Sequence, residues 1–328
     1  MSQPALATHE LTKDYAVGFW RKRPYRALDR LTLDVDRGEV FGFLGPNGAG
    51  KTTTLKLLMQ LVFPTSGRAE LLGRPLGDLE AKRRIGYLPE NPYFYDYLTA
   101  EELLVYFAGL FGYVSQERRT RASRLLDEVG IGRERRMQLR KFSKGMLQRV
   151  GIAQALVNDP KLVILDEPMS GLDPLGRRDV RALILSLRDR GCTVFFSSHV
   201  LSDAEALCNR VAILAKGRLV AAGSLADMQA FRASGWELVV SGVGDEKIAS
   251  LAARVRRAVR IGDGRYMLEL PLEPGPERLL ADLTGAGAQL VSLNPVRQTL
   301  EDFFVAQVGS AEAADARRGL EAPVEARR

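Results

Sequence analysis

The residues best suited to chemistry form a glycine-rich segment that ends in a lysine and two threonines, at positions 45–53. The segment fits the phosphate-loop pattern G-x-x-x-x-G-K-[ST]. The apolar run at 40–44 predicts a buried strand before it, and 53–59 predicts a helix after it. Glycines let backbone N–H groups approach an anion, and the N-terminus of a helix favours negative charge. We therefore predict that nucleotide phosphates are bound by Gly45, Pro46, Asn47, Gly48, Ala49, Gly50, Lys51, Thr52 and Thr53.

Two carboxylates at the end of an apolar run form a second candidate. Residues 162–165 predict a central strand of a parallel sheet, and Asp166 and Glu167 follow directly. Open α/β sheets bind ligands at this end of their strands. We predict that Asp166 and the Thr52 hydroxyl hold Mg²⁺, while Lys51 reaches the terminal phosphates. Glu167 is placed to accept a proton from an attacking water. An acidic strand end in solvent is the alternative, which the earlier phosphate loop disfavours.

Two further features carry weaker signals. Ser143, Lys144 and Gly145 begin a predicted helix, and such a terminus can bind an anion. His199 follows the predicted buried strand at 193–197 and could contact a γ-phosphate. Neither signal is specific by itself, because many helices start with serine and most isolated histidines have a structural role. Both interpretations therefore depend on the other motifs in the chain.

Length, composition and charge limit the class of protein. The 328 residues exceed the usual size of one domain, and 46% hydrophobic with 27% charged residues is ordinary for a globular protein. The N-terminus does not resemble a signal peptide, and no uncharged apolar run approaches the ~18 residues of a membrane helix. Cys192 and Cys208 lack metal-site spacing and predict free thiols in a reducing compartment. The net charge of +7 permits nucleic acid, anionic lipid or phosphate-rich ligands, although a solvated basic surface is the simplest interpretation.

The pattern of elements predicts an α/β fold. Strands alternate with helices, which favours a parallel sheet core in a domain at 1–228 with a helical insert at about 92–158. Residues 236–308 predict a small α+β domain of ferredoxin-like order, with a helix at 246–259, a strand at 289–293 and a final helix. Residues 309–328 have the composition of a disordered tail. Residues 5–15 and 27–36 predict two strands joined by an aromatic and basic excursion at 16–26. Ser115 is predicted to cap a helix that runs to Gly130.

Taken in order, these motifs resemble the ATP-binding subunit of ABC transporters, a P-loop NTPase, over about residues 5–225. The loop at 45–53 is similar to the family's Walker A loop, and 162–167 to its Walker B strand. Residues 142–146 resemble the signature sequence and 170–173, which end in Asp173, resemble the D-loop. Three single residues also match family positions. Tyr15 lies where the family often has an aromatic residue that stacks on adenine, Glu90 lies at the Q-loop position, and His199 matches the switch histidine.

The sequence departs from the family pattern at three places. In the signature, Ser143 and Gly145 are retained, while the residues around them differ from L-S-G-G-Q. Glu90 replaces the usual glutamine; both offer an oxygen to Mg²⁺, but glutamate adds a negative charge. The excursion after Tyr15 leaves Phe19, Trp20 and Tyr25 open as alternative adenine contacts.

The resemblance implies a function and its partners. Two copies of the chain are expected to pack head to tail with Mg·ATP between them, so that Ser143, Lys144, Gly145 and Asp173 of one copy meet the nucleotide of the other. Hydrolysis is expected to use Glu167, His199 and Lys51 and to drive a separate membrane permease. The chain is then expected at the cytoplasmic side of the membrane. The variant signature and the segment at 300–304 resemble exporters of the drug-resistance and polysaccharide type.

Other assignments remain open at this stage. The aromatic loop at 93–97 either packs within the helical insert or receives the permease, and the basic residues at 21–23 either contact lipid or the permease. A soluble ABC ATPase acting on nucleic acid or ribosomes is the alternative function, although the chain repeats neither its phosphate loop nor any heptads. No nucleic-acid partner is therefore expected. A kinase built on the same loop is disfavoured by the signature and D-loop segments.

Overall fold

The computed structural model describes residues 3–18, 22–229, 233–262 and 264–297. The described residues fall into two compact units, of which the first ends at Leu225 and the second begins at Ala226. None of the helices in these ranges is long and apolar enough to cross a membrane.

Ten strands build the two sheets of the first unit. In chain order they are β1 (Leu6–Val17), β2 (Arg23–Val35), β3 (Val40–Leu44), β4 (Ser66–Leu71), β5 (Arg74–Pro75), β6 (Ile85–Leu88), β7 (Leu162–Asp166), β8 (Thr193–Ser198), β9 (Arg210–Ala215) and β10 (Arg218–Ser224). The core sheet has the order β10-β9-β3-β8-β7-β6. Strands β9, β3, β8, β7 and β6 are parallel, and the edge strand β10 runs antiparallel to β9. The parallel core predicted from the sequence is confirmed, with an antiparallel edge that was not predicted.

The second sheet of this unit is antiparallel, in the order β2-β1-β4-β5. The predicted excursion at 16–26 is wrong for its described part, because β1 and β2 continue as a hairpin in which Val17 pairs with Arg23. Phe19, Trp20 and Arg21 lie outside the described residues. Strands β4 and β5 were not predicted, since only Ala69 and Leu71 of β4 are buried and the segment shows little apolar alternation.

The helices of the first unit cover the core sheet and form the insert. They are α1 (Lys51–Leu58), α2 (Leu79–Lys82), α3 (Ala100–Leu110), α4 (Ser115–Glu128), α5 (Lys144–Ala155), α6 (Pro174–Asp189), α7 (Leu201–Leu207) and α8 (Leu225–Gln229), whose last residues belong to the second unit, with a 3₁₀ turn at Leu139–Lys141. The capping box predicted for α3 is present, with Thr99 N donating to Glu102 Oε2 at 2.8 Å. The predicted Ser115 cap is wrong, because Val114 is the N-cap of α4 and no side chain caps it.

The second unit contains β11 (Ala233–Ser241), α9 (Asp245–Ser250), β12 (Arg257–Gly262), β13 (Arg265–Pro271), α10 (Glu277–Gly285) and β14 (Gln289–Arg297). Its sheet is antiparallel, in the order β12-β13-β11-β14, which is the ferredoxin-like arrangement. The helix predicted at 246–259 is confirmed only for its first part, because α9 ends at Ser250 and residues from Arg257 onward form β12, whose pairing with β13 overrides helix propensity. The strand predicted at 289–293 continues to Arg297. The predicted final helix and tail lie outside the described residues.

Candidate functional site

The glycine-rich loop connects β3 to α1 at the carboxyl end of the core sheet. A Cβ at Gly45 would lie 2.4 Å from the carbonyl oxygen of Leu214, and one at Gly50 would lie 2.5 Å from that of Ala27. Gly50 also has φ +106°, a conformation that favours glycine. No side chain caps α1 at this end, so its first-turn N–H groups point at the loop and are available to an anion.

The loop opens into a cleft of about 450 Å³. The cleft is lined by the phosphate loop, by the β1–β2 hairpin and by residues that follow β6, β7 and β8. These residues are Tyr15, Tyr25, Ala27, Asn47, Gly48, Ala49, Gly50, Lys51, Thr52, Thr53, Glu90, Glu167, Ser170 and His199. The structure thus brings together most of the loop residues with Tyr15, Glu90, Glu167 and His199, whereas Asp166 does not line the cleft. Gly45 and Pro46 form the base of the loop, where their carbonyl oxygens accept hydrogen bonds from Lys51 Nζ at 2.8 and 3.3 Å.

Asp166 is fully buried at the end of β7. Its Oδ1 accepts a hydrogen bond from the Ser197 hydroxyl at 2.6 Å, while Oδ2 has no hydrogen-bond partner among the described residues. Burial raises the pKa of Asp166, the Ser197 hydrogen bond opposes the rise, and the charges of Glu90 and Glu167 add to it. A buried carboxylate oxygen without a partner, close to a threonine hydroxyl and a second carboxylate, suits a hard divalent cation. The residues therefore fit Mg²⁺.

Glu167 lies where the sheet meets the loop, with a left-handed backbone at φ 49°. Its N–H donates to the Ser197 hydroxyl at 2.9 Å, which fixes the residue against β8. One carboxylate oxygen lies 3.3 Å from Lys51 Nζ, and the other lies 2.8 Å from His199 Nδ1. The Glu167 and Lys51 side chains are both more than nine-tenths buried. A carboxylate fixed in this way can accept a proton from a water molecule beside the loop.

The β1–β2 hairpin supplies the aromatic side of the cleft. Tyr15 and Tyr25 are direct partners in the antiparallel register, so their side chains share one face of the hairpin. Both line the cleft, and Lys13 Nζ lies 5.0 Å from the centroid of the Tyr15 ring. Of the aromatic residues proposed for adenine, the structure places these two at the site, while Phe19 and Trp20 are not described.

The signature and D-loop residues lie apart from this cleft. Ser143 is the N-cap of α5, where its hydroxyl accepts a hydrogen bond from Met146 N at 3.2 Å, and Lys144 and Gly145 follow it. Asp173 is the N-cap of α6 and accepts from Gly176 N at 2.7 Å. Within the described part of the chain, none of these four predicted residues lines the cleft that holds the phosphate loop.

Sequence reasoning missed two buried polar residues that organise the site. Ser197 joins Asp166 to Glu167, and it is the register partner of Asp166 in β8, one residue before that strand ends. Its position could have been inferred, because the ends of neighbouring parallel strands meet at one edge of the sheet. Gln148 is 2% exposed, and its amide reaches the carbonyl oxygen of Glu167 at 3.5 Å. No local pattern marks that long-range contact.

Comparison with known proteins agrees with this geometry. A family model described as ABC transporter matches residues 28–170. The ABC transporter ATP-binding protein sll0415 of Synechocystis sp., itself uncharacterized, is 47% identical over 92% of this chain and 84% of its own length. The bacitracin transport ATP-binding protein BcrA of Bacillus licheniformis is 42% identical over 66% of this chain and 68% of its own.

A solved structure gives the same result. The dimeric ATP-binding cassette MJ0796, bound to ADP and Pi after hydrolysis, superposes with a TM-score of 0.62 at 27% identity. The match covers 67% of this chain and 98% of that one. The phosphate loop, the paired carboxylates and these relatives together show that the chain belongs to the ABC transporter ATP-binding proteins, a family of ATP-hydrolysing subunits.

Proposed function

We propose that this chain, as one half of a homodimer, binds and hydrolyses Mg·ATP to power export through a permease that is a separate polypeptide. The observation that carries the proposal is the cluster at the cleft, where the Glu167 carboxylate lies between Lys51 and His199 beside the phosphate loop. The bacitracin transport protein among the relatives supports a role in transport.

The side chains divide the chemistry between them. Backbone N–H groups of the loop and the Lys51 ammonium hold the β- and γ-phosphates and offset the charge of the transition state. Thr52, Asp166 and Glu90 would hold Mg²⁺, which when bound neutralises phosphate charge. Glu167 accepts the proton of the attacking water, and His199, which contacts the same carboxylate at 2.8 Å, fixes its orientation and approaches the γ-phosphate. Tyr15 and Tyr25 provide the surface for the base.

The position of the signature residues supports a homodimer. Ser143 begins α5, a twelve-residue helix whose exposed N-terminus suits an anion, yet it does not line the cleft of its own chain in the described residues. A second copy packed head to tail would place Ser143, Lys144 and Gly145 against the γ-phosphate, with Asp173 nearby. Each nucleotide would then be closed between two chains.

An exposed aromatic surface on the helical insert supports a permease partner. Tyr93 is fully exposed, and Tyr95 packs against Tyr97 and Tyr106 with ring centroids 5.9 and 6.5 Å apart. Leu110, at the end of α3, is 64% exposed. Large exposed apolar patches mark interaction sites, so we propose that a cytoplasmic segment of the permease docks here. Tyr95→Ala is expected to abolish co-purification with the permease, whereas Ile261→Ala, an exposed apolar residue of the second unit, is not. Equal recovery of both variants would remove this surface from the proposal.

The catalytic assignment is tested with Glu167→Gln, which keeps the shape of the side chain and removes its basicity. We expect ATP binding to persist and steady-state hydrolysis to fall by at least about 100-fold, the range of general-base catalysis. Glu80→Gln is the matched control, because Glu80 is 54% exposed and pairs with Arg83 at the surface, away from the cleft lining. Hydrolysis by the Glu167 variant near the control rate would exclude Glu167 as the base.

A further inference from the structure

The second unit contains a cavity of about 440 Å³, nearly the volume of the nucleotide cleft. It opens between the segment that follows α9 and the loop that joins β13 to α10. The buried core side chains Leu270 and Leu279 form its floor, at 3% and 4% exposure. The remaining apolar lining consists of Ala253, Val255, Pro271 and Pro274.

The rim of this cavity is cationic. Arg254, Arg256 and Arg278 line it. Arg254 is already paired with Asp282, but the guanidinium groups of Arg256 and Arg278 have no hydrogen bond or ion pair with any described residue. Helix α10 adds to the positive potential, because it begins beside Arg278 without a side-chain cap and its first-turn N–H groups are unpaired.

The carboxylates of Glu269 and Glu277 lie near this rim, and neither forms an ion pair with Arg256 or Arg278 in the described residues. Glu277 folds back over Gly275, where a Cβ would lie 2.3 Å from its carboxylate oxygen. Glu269 pairs in register with Arg257. Because side chains alternate along a strand, the register partners Arg257 and Glu269 share one face of the sheet and Leu270 lies on the other; Arg256, just before β12, lines the cavity with Leu270.

We propose that the second unit binds a small amphipathic anion, a carboxylate or phosphate joined to an apolar body of roughly eight carbons. Its anionic group lies between Arg256, Arg278 and the first turn of α10. Its apolar body rests on Leu270 and Leu279. Guanidinium groups pair with either a carboxylate or a phosphate in bidentate geometry. Ions without a hydrocarbon part make no contact with the apolar floor and therefore bind more weakly. This site is separate in sequence and chemistry from the nucleotide cleft.

Trp236 provides a direct readout in the full-length chain. It is the register partner of Leu270 and packs against the core of the second unit, so its fluorescence reports on the cavity floor. The chain has two tryptophans, and Trp20→Phe leaves Trp236 alone. Octanoate and octyl phosphate are titrated as probes, with octanol and inorganic phosphate as probes that lack the charge or the apolar body. At least one octyl anion is expected to give a saturable change, about tenfold tighter than either incomplete probe.

Variants then locate the bound anion. Arg256→Gln and Arg278→Gln are each expected to weaken binding about tenfold, the effect of one charge-assisted contact. Arg257→Gln, the neighbouring arginine on the opposite face, is expected to change it less than twofold. Ala253→Leu, which fills part of the cavity without adding a fluorophore, is expected to weaken binding. Unchanged melting temperatures of the arginine variants would show that they remain folded.

The two octyl probes identify the anionic group. Saturation by octanoate alone identifies a carboxylate site, and saturation by octyl phosphate alone identifies a phosphate site. No saturable signal at millimolar probe, or equal losses in the Arg256 and Arg257 variants, would overturn the proposal.

Discussion

Replacing Ser197 with alanine removes one hydroxyl that serves two functional residues. The side chain is fully buried at the end of β8, where it donates to Asp166 Oδ1 at 2.6 Å and accepts from Glu167 N at 2.9 Å. The substitution removes the Ser197 hydrogen bond from Asp166 Oδ1, while Oδ2 has no hydrogen-bond partner among the described residues, so the buried carboxylate is left with the nearby Thr52 hydroxyl to favour its charged form. It also leaves a buried N–H group unpaired.

The expected cost follows from those two bonds. A hydrogen bond to a charged group contributes about 1.5–3 kcal/mol, and an unsatisfied buried N–H costs about 1–3 kcal/mol. Allowing for relaxation, Ser197→Ala should lower the free energy of unfolding by roughly 3 kcal/mol, or the melting temperature by about 6–12 °C for a unit of this size. The Ser197 hydrogen bond lowers the pKa of Asp166, so its loss raises that pKa further and weakens Mg²⁺ binding.

Thermal unfolding and the Mg²⁺ dependence of ATP hydrolysis measure both effects. Ser186→Ala is the control, since that hydroxyl donates only to the Leu183 carbonyl at 2.8 Å within α6. The control should unfold within a few degrees of the parent, and its half-saturating Mg²⁺ concentration should not change. If Ser197→Ala behaves like the control in both assays, Ser197 does not hold the two carboxylate residues in place and the reasoning fails.

Two further predictions concern the buried groups of the cleft. Burial raises the pKa of Asp166, so stability contributed by its protonated form is lost as pH rises from the unfolded pKa to the folded one. Asp166→Asn should therefore have a higher melting temperature than the parent at pH 7 without nucleotide, and Mg·ATP should not raise that temperature further. An equal change in melting temperature in the exposed Asp189→Asn control would refute this. Gly50→Ala should cost about 3 kcal/mol or more, whereas Gly48→Ala, with φ +79° and no atom within 4 Å of its Cβ, should cost only about 1 kcal/mol in urea unfolding. Equal losses would show that the clash at Gly50 is relieved.

Short-range patterns predicted which residues would meet at the carboxyl end of the core sheet. The loop at 45–53, the buried run before Asp166 and the strand before His199 each combine a burial signal with a local motif, so the meeting of their ends followed from the geometry of a parallel sheet. The roles assigned to Lys51, Glu167 and the signature residues remain predictions, and the 3.3 Å distance between Lys51 Nζ and the Glu167 carboxylate suits the first two.

Long-range pairing explains most of what the sequence did not predict. Strand β4 is polar and mostly exposed, and it is defined by its pairing with β1, which no local window contains. Residues 257–259 were assigned to the predicted helix at 246–259, and they belong to β12 because β13 pairs with them. Ser197 and Gln148 are ordinary polar residues in sequence, and their importance depends on partners 19–31 positions away.

The central claim is that Mg·ATP is closed between two copies of the chain, with Ser143 of one copy at the nucleotide of the other. Sedimentation velocity of Glu167→Gln, which should bind ATP without consuming it, tests this directly. With Mg·ATP the variant should sediment as a dimer, and adding Ser143→Arg should return it to a monomer that still binds ATP. A Glu167→Gln chain that binds ATP fully and remains a monomer would contradict the account.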